Sequence, residues 1–165
     1  MKSGRPDCFV LDGASAGAQL GIPFLTSPAR DTAGAMSEEN VEIVRRGLAR
    51  FLEGRPAWEL YAEDFQFVNL RDAPWQPSPG TKGLQEWLDF TNEVAEEWGF
   101  DLAEIEALDP ERVLIIGTLW AKFRATGIRE EIPMAQVVTL ANRKMTQVES
   151  YYTRAEALEA AGLSE

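Results

Sequence analysis

The pattern of apolar and polar residues is clearest over residues 132–152. Two runs rich in β-branched and aromatic residues lie there on either side of a short polar segment. This arrangement predicts a β-hairpin. We expect Asn142 and Arg143 to form a two-residue turn, which requires positive φ at both positions and which an arginine suits poorly.

A two-residue turn fixes the pairing of the hairpin and the face on which each side chain lies. It pairs Leu140 with Met145 and Ala135 with Ser150. The Ala135 face is small and uncharged, so we expect a bulky helix to pack against it; this face also carries Val137, Val148 and Tyr152. The other face suits solvent or a partner subunit, because it mixes large apolar and polar groups. Its members are Met134, Gln136, Val138, Leu140, Glu149 and Tyr151.

The remaining elements follow from helical spacing, alternation and turn residues. Ser37 has the character of an N-cap, and Gly54 of a helix end. The longest amphipathic pattern places Trp87 and Trp98 on one apolar helix stripe. The predicted helices are 37–54, 56–62, 84–98 and 153–161, and the predicted strands before the hairpin are 64–70, 100–108 and 112–124.

This order of elements predicts an α+β fold. We expect a cystatin-like cone, in which a strongly curved antiparallel or mixed sheet wraps around the long helix. The open end of such a cone is a pocket. Residues 36–165 would form this single domain, which is long enough for a substantial core.

Residues 1–35 differ in composition from the rest, being rich in Gly, Ala, Ser and Pro. They are interpreted as a disordered or non-native leader, with a secretory signal peptide as the alternative. Met36 is then a hypothetical initiator. On the leader interpretation we expect a cytoplasmic protein.

The composition excludes several classes of function. A net charge of −11 argues against nucleic acid and anionic membrane surfaces as partners. The absence of histidine and the single Cys8 exclude histidine-based triads, nitrogen- or thiolate-bound zinc and an intrachain disulfide. Carboxylates alone could still bind Mg²⁺ or Ca²⁺, but no Asp-rich loop of the right spacing is present, so no metal and no cofactor is expected. No apolar run approaches the roughly 20 residues that span a bilayer.

Two stretches carry a resemblance to a known family. The sequence Met-Ser-Glu-Glu-Asn-Val-Glu-Ile-Val-Arg-Arg at 36–46 and the close Tyr-Thr-Arg-Ala-Glu-Ala-Leu-Glu-Ala-Ala-Gly-Leu at 152–163 resemble SnoaL-like proteins. These belong to the nuclear transport factor 2-like superfamily, which includes ketosteroid isomerases and limonene epoxide hydrolases. The resemblance implies a cone-shaped pocket, catalytic groups on its wall and a homodimer.

The catalytic groups of that superfamily do not carry over to this sequence. Asn69 stands at the position of the isomerase base, Ala135 at that of the second aspartate and Gly47 near that of the helix tyrosine. An amide cannot abstract a carbon-bound proton, and Ala135 has no side-chain donor. Ser150 stands near the last-strand aspartate of the epoxide hydrolases, and Gln136 replaces a histidine that is common in close relatives.

Three functions remain open. The first is the binding of a small, apolar, ring-containing molecule. The second is a cofactor-independent isomerase, cyclase or hydrolase, and the third is a homodimeric interaction module that pairs through the Met134/Val138/Leu140/Tyr151 face. The candidate ligand-binding residues are Asn69, Trp87, Trp120, Ala135, Val137, Ser150 and Tyr152.

Each candidate also has a purely structural interpretation. The Asn69 amide could be satisfied by backbone at a strand end. Trp87 could be ordinary core, since a tryptophan stripe at helical spacing usually is. Tyr152 could lie at the edge of the sheet with its hydroxyl in water.

Overall fold

The structure is a computed structural model that describes residues 27–163, with side chains from residue 34 onward. Residues from Ser37 onward form one compact unit. Its helices are α1 (Ser27–Leu52), a 3₁₀ turn (Trp58–Leu60), α2 (Thr81–Val94) and α3 (Arg154–Ala160). Its strands are β1 (Tyr61–Val68), β2 (Ala95–Asp109), β3 (Arg112–Phe123), β4 (Arg129–Ala141) and β5 (Lys144–Tyr151).

The five strands form one mixed sheet in the order β1-β5-β4-β3-β2. Strands β2 to β5 follow one another as an antiparallel meander, and β1 joins the far edge parallel to β5. Register shifts interrupt the β1–β5, β2–β3 and β4–β5 pairings. Such bulges bend strands and increase their twist, which gives the sheet its curvature. The predicted α+β cone with a mixed sheet is confirmed.

The sheet has two unlike faces. We call the face that carries Val113, Ile115 and Val138 the inner face; it packs against the apolar sides of α1 and α2. The outer face carries Leu114, Ala135 and Val137, which pack against Ala157 and Leu158 of α3. Because successive side chains of a strand alternate between faces, both sides of the central strands are buried.

The hairpin turn forms as predicted, but the pairing beyond it does not. Asn142 and Arg143 have φ of 52° and 65°, and Leu140 pairs with Met145. Thr139 then pairs with Gln147, so Thr146 is an extra residue in β5. This bulge shifts the remaining pairs by one residue, and the sequence contained no glycine or proline that would have indicated it.

The shift corrects the predicted faces. Gln136 pairs with Ser150, and Ala135 pairs with Tyr151. Ser150 and Tyr152 therefore share the inner face with Gln136, while Ala135 lies on the outer face. The prediction that the Met134/Val138/Leu140/Tyr151 face is exposed for dimerisation is also wrong. Three of these residues are buried inside the unit, namely Met134, Val138 and Leu140.

Several element boundaries also differ from the prediction, and three of these differences are the largest or move a tryptophan. The first helix begins at Ser27 rather than Ser37, which the Ser-Pro start and the alanines that follow explain. The second predicted helix is only the 3₁₀ turn. Helix α2 ends at Val94, so Trp98 lies in β2 and not on the helix stripe. Most of the predicted leader lies outside the described residues, and the division into leader and domain stays a prediction.

The last helix has the Thr153 N-cap that its starting sequence, Thr-Arg-Ala-Glu, predicts. The Thr153 hydroxyl accepts a hydrogen bond from the Glu156 backbone N–H at 3.1 Å. The Glu156 carboxylate in turn accepts from the Tyr152 backbone N–H at 3.1 Å. Gly162 follows the helix with φ of 78°. These caps fix α3 against the outer face.

The turn supplies a first prediction. Arg143 adopts a left-handed conformation that costs an L-residue about 1–2 kcal/mol. It also forms an exposed ion pair with Glu39 at 3.0 Å, which contributes little. We expect Arg143→Gly to be about 1 kcal/mol more stable than Arg143→Ala in urea unfolding, because both lose the ion pair and only glycine relieves the backbone. Equal stabilities would contradict the left-handed turn.

The bulge supplies a second prediction. The Thr146 hydroxyl donates to the Thr139 carbonyl at 3.1 Å, at the point where the ladder is interrupted. Thr146→Val should lower the free energy of unfolding by about 1 kcal/mol, because the carbonyl loses its donor. Thr146→Ser keeps the hydroxyl and serves as the control. A valine variant as stable as the serine variant would show that the bulge does not depend on this bond.

Candidate functional site

A cavity of about 430 Å³ lies between the inner face and helices α1 and α2. Its deep end is bordered by Val44 of α1 and by Tyr61 and Phe65 of β1. Its rim is bordered by the loop after β1 and by the start of β4. The curvature of the sheet creates this space, because a flat sheet would bring the inner face into contact with α2 along its whole length.

Aromatic side chains form much of the cavity wall. Trp87 of α2 and Trp98 of β2 meet edge to face, with ring centroids 5.3 Å apart. Phe51 of α1 contacts both rings, at 5.7 and 5.9 Å, and Phe67 of β1 contacts Trp87 at 6.4 Å. Edge-to-face pairs of this kind stabilise one another beyond simple burial. Trp87 therefore packs in the core and also lines the cavity, so both predicted roles of this residue apply.

One row of polar side chains crosses the inner face. Gln136 of β4 pairs with Ser150 of β5, and the parallel pairing of β1 with β5 brings Asn69 alongside Ser150 just past the end of β1. The Gln136 amide donates to the Ser150 hydroxyl at 3.1 Å. We call these three residues the polar row. Ser150 is buried and all three border the cavity, so the row places amide and hydroxyl groups within an apolar wall.

Asn69 is partly used by the backbone. Its side-chain carbonyl accepts from the Leu70 N–H at 2.9 Å, and its own backbone N–H donates to the Gln76 side chain at 3.0 Å. The side-chain carbonyl of Asn69 is therefore satisfied by backbone, as the purely structural interpretation expects. Within the described chain no hydrogen bond from the Asn69 side-chain NH₂ group is found, so this donor is available to a ligand.

The loop at the rim is fixed to α2. The Ser78 backbone N–H and hydroxyl donate to the Glu86 carboxylate at 3.1 and 2.9 Å. These two hydrogen bonds lower the pKa of Glu86 below its usual range. Trp75 of the loop meets Phe90 of α2 edge to face at 5.8 Å. The rim is thus held in place by both polar and aromatic contacts.

The interior of the cavity carries no charge. Two carboxylate residues border it, Asp72 and Glu130, and both are exposed at the rim. Among residues 34–163 no cluster of His, Cys, Asp or Glu side chains is arranged to hold a metal ion. A general base would need to reach a bound molecule inside the cavity, and the described walls present only amides, hydroxyls and apolar groups there.

The positions that the resemblance assigns to catalytic groups are altered in three different ways. Asn69 presents an amide. A Cβ atom at Gly47 would lie 2.7 Å from the Met145 methyl group, so Met145 fills the space next to that helix position. Ala135 points away from the cavity, and the residue of β4 that faces it at this level is Gln136.

The structure brings five predicted site residues to the cavity: Asn69, Trp87, Trp120, Ser150 and Tyr152. Ala135 and Val137 are corrections, because the bulge leaves them on the outer face beneath α3. Trp120 borders the cavity, but its ring covers Gly99 on the outer face and lies 4.1 Å from the Arg129 guanidinium.

Among the cavity residues that sequence reasoning missed, Gln136 and Tyr61 carry polar groups on the inner wall. Gln136 was placed on the solvent face because the bulge was not recognised. Tyr61 was assigned to a short helix, whereas it begins β1 at the deep end of the cavity and is buried. Burial raises the pKa of the Tyr61 hydroxyl well above its usual range. A polar-tipped aromatic residue before an alternating run was the signal available in the sequence.

Comparison with known proteins supports the fold. No family model and no curated protein matches the sequence. Among solved structures, Bal32a from a soil-derived mobile gene cassette is similar with a TM-score of 0.65 at 20% identity, covering 74% of this chain and 95% of its own. A putative SnoaL-like polyketide cyclase from Mesorhizobium loti has a TM-score of 0.55 at 22% identity, covering 67% and 97%. TerC, co-crystallized with polyporic acid, has a TM-score of 0.59 at 18% identity, covering 70% and 92%.

These neighbours agree with the resemblance seen in the sequence. Identities of this size establish architecture and leave activity undetermined, since this fold carries many functions. Within residues 27–163 no helix is long and apolar enough to cross a membrane. The chain has the fold of the SnoaL-like, nuclear transport factor 2-like and ketosteroid isomerase-like proteins.

Proposed function

We propose that this protein binds a small, apolar, ring-containing molecule in the cavity of its cone. The observation that carries the proposal is the combination of a 430 Å³ space, aromatic walls and an interior without charge. Ligand pockets commonly have volumes of about 300–1,000 Å³ and are mostly apolar with a few placed polar groups. The Phe51/Trp87/Trp98 cluster supplies flat apolar area for a ring system.

The polar row supplies orientation. Among residues 34–163 no further hydrogen bond is found for the Gln136 side-chain carbonyl, the Ser150 hydroxyl hydrogen or the Asn69 NH₂ group. A ligand with one or two polar substituents on an apolar frame would satisfy these groups. A purely aliphatic ligand would leave them buried without partners, which is costly.

Binding is favoured over catalysis by the position of the carboxylates. A cofactor-independent isomerase, cyclase or hydrolase would need an acid or base that reaches the ligand, and Asp72 and Glu130 are exposed at the rim. The similarity of TerC, which was co-crystallized with polyporic acid, is compatible with a small-molecule ligand in this fold. The proposal includes a homodimer, as the resemblance implies. It also includes a cytoplasmic location and excludes nucleic acid and membrane as partners.

Native mass spectrometry of the full chain, purified from its own host, tests both parts. We expect a dimer mass together with the additional mass of a retained organic molecule. A monomer would contradict the homodimer. A protein without additional mass that also shows no thermal shift with fused-ring aromatic compounds would contradict ligand binding and favour the interaction module.

A cavity-filling variant gives a third prediction. Ser150→Leu should weaken binding of a fused-ring aromatic probe at least about tenfold, because the larger side chain occupies the cavity beside Gln136. The loss of stability in urea unfolding should stay below about 3 kcal/mol. Quenching of tryptophan fluorescence reports the binding, since Trp87 and Trp98 line the cavity.

The matched control is the neighbouring Glu149→Leu. Glu149 pairs with Val137 on the outer face, so leucine there should leave binding unchanged. If Ser150→Leu binds the probe as well as the original protein, the probe does not occupy this cavity.

A further inference from the structure

Tyr61 is a buried side chain with a polar tip on the cavity wall. Its residue surface is 7% exposed, and it borders the cavity at the deep end together with Phe65. The Phe65 ring meets the Tyr61 ring edge to face at 5.0 Å, and the Trp58 ring lies 5.6 Å from it on another side. These contacts fix the ring in place and restrict where the hydroxyl can point.

The Tyr61 hydroxyl has no hydrogen-bond partner among residues 34–163. Buried tyrosine hydroxyls usually find a partner, and a buried polar group without one destabilises the protein. The chain could have avoided this cost with phenylalanine, which would keep both ring contacts. A hydroxyl that is buried at a cavity wall and unused by the fold points to a group that enters the cavity.

The surroundings of Tyr61 define the charge of that group. Burial raises the pKa of the Tyr61 hydroxyl, because the apolar site disfavours the phenolate. The hydroxyl is therefore an O–H donor throughout the physiological pH range. The same apolar site disfavours an anionic ligand, and the net charge of −11 adds long-range repulsion. A neutral acceptor fits best.

We infer that Tyr61 donates a hydrogen bond to a neutral carbonyl oxygen on the deep end of the ring-containing ligand. This inference rests on the proposed function and narrows it to aryl ketones or quinone-like compounds. The polar row lies further along β5 from the strand position that pairs with Tyr61. The ligand would thus be held by a deep carbonyl contact and by polar groups nearer the rim, with aromatic walls between.

The test compares two tricyclic probes of the same shape. 9-Fluorenone carries a neutral ketone, and fluorene carries a methylene group in its place. We expect the full-length protein to bind fluorenone about threefold to tenfold more tightly than fluorene, the effect of one net hydrogen bond. Tyr61→Phe should remove this preference and leave the affinity for fluorene unchanged.

Tyr151→Phe is the matched control. Tyr151 packs against the outer-face cluster and does not border the cavity. Removing the Tyr151 hydroxyl should leave the preference for fluorenone over fluorene unchanged. If Tyr61→Phe also keeps the preference, the inference about Tyr61 is wrong while the binding function stands. If the original protein binds neither compound, the proposed binding of ring compounds fails, and the inference fails with it.

Two measurements without ligand test the state of the hydroxyl. Tyr61→Phe should leave the urea midpoint unchanged or raise it, because it removes a buried hydroxyl that the fold does not use. A lower midpoint would show a structural partner and overturn the inference. The second measurement follows phenolate absorbance against pH.

The pKa of tyrosine in the unfolded chain is about 10. Since the folded-state pKa of Tyr61 is higher, the folded protein is favoured below that pH, and this contribution is lost as pH rises through the folded value. The difference in phenolate absorbance between the original protein and Tyr61→Phe should therefore appear only above the unfolded value. A difference that appears at or below pH 10 would show a solvated hydroxyl and contradict the inference.

Discussion

The candidate site depends on the single extra residue in β5. Without the bulge at Thr146, side-chain alternation would place Ser150 on the face opposite Gln136, beneath α3. The bulge reverses the alternation of β5 after the turn, so Met145 and Ser150 both face inward. It also bends the strand, which helps to form the cavity that the polar row borders. One local irregularity therefore sets both the space and its chemistry.

The distribution of charge follows from the same two-faced sheet. Acidic residues are numerous, yet in the described unit they lie at the rim, on the outer face or on helix surfaces. On the outer face Arg154 of α3 pairs with Glu104 and Glu106 of β2 at 2.8 and 2.7 Å. These exposed pairs contribute modestly to stability. Strand alternation places the two carboxylates on the side away from the cavity. The inner face is left to aromatic and neutral polar groups.

This protein shares its architecture with the solved structures but not the catalytic groups that the resemblance would place on the pocket wall. The architecture matches solved structures that differ from it at about four residues in five. At the positions where the resemblance would place reacting groups, the chain carries an amide at Asn69 and a glycine at Gly47. A scaffold of this kind holds its pocket by packing, so the groups on the wall can change while the cone remains. The groups that this chain presents on the wall include the aromatic cluster and Tyr61.

The sequence by itself determined the α+β class, the order of elements, the hairpin turn and the cap of α3. Each of these depends on local signals: periodicity, turn residues and a capping box. It also identified Asn69, Trp87, Trp120, Ser150 and Tyr152 as cavity residues. The exclusion of histidine-based triads, of zinc sites with nitrogen or multiple sulfur ligands and of an intrachain disulfide followed from composition alone.

Only the tertiary structure decided which face of the hairpin is interior. The bulge has no local signature here, and it reversed the assignments of Ala135 and Gln136. Helix α2 ends at Val94 because Ala95 and the residues after it pair with β3, a non-local interaction that overrides helical spacing. Tyr61 lies in a strand rather than in the predicted short helix because it also makes a non-local pairing, with Met145 of β5. Its burial and lack of a partner depend on neighbours that are distant in sequence, and sequence periodicity contains no information about them.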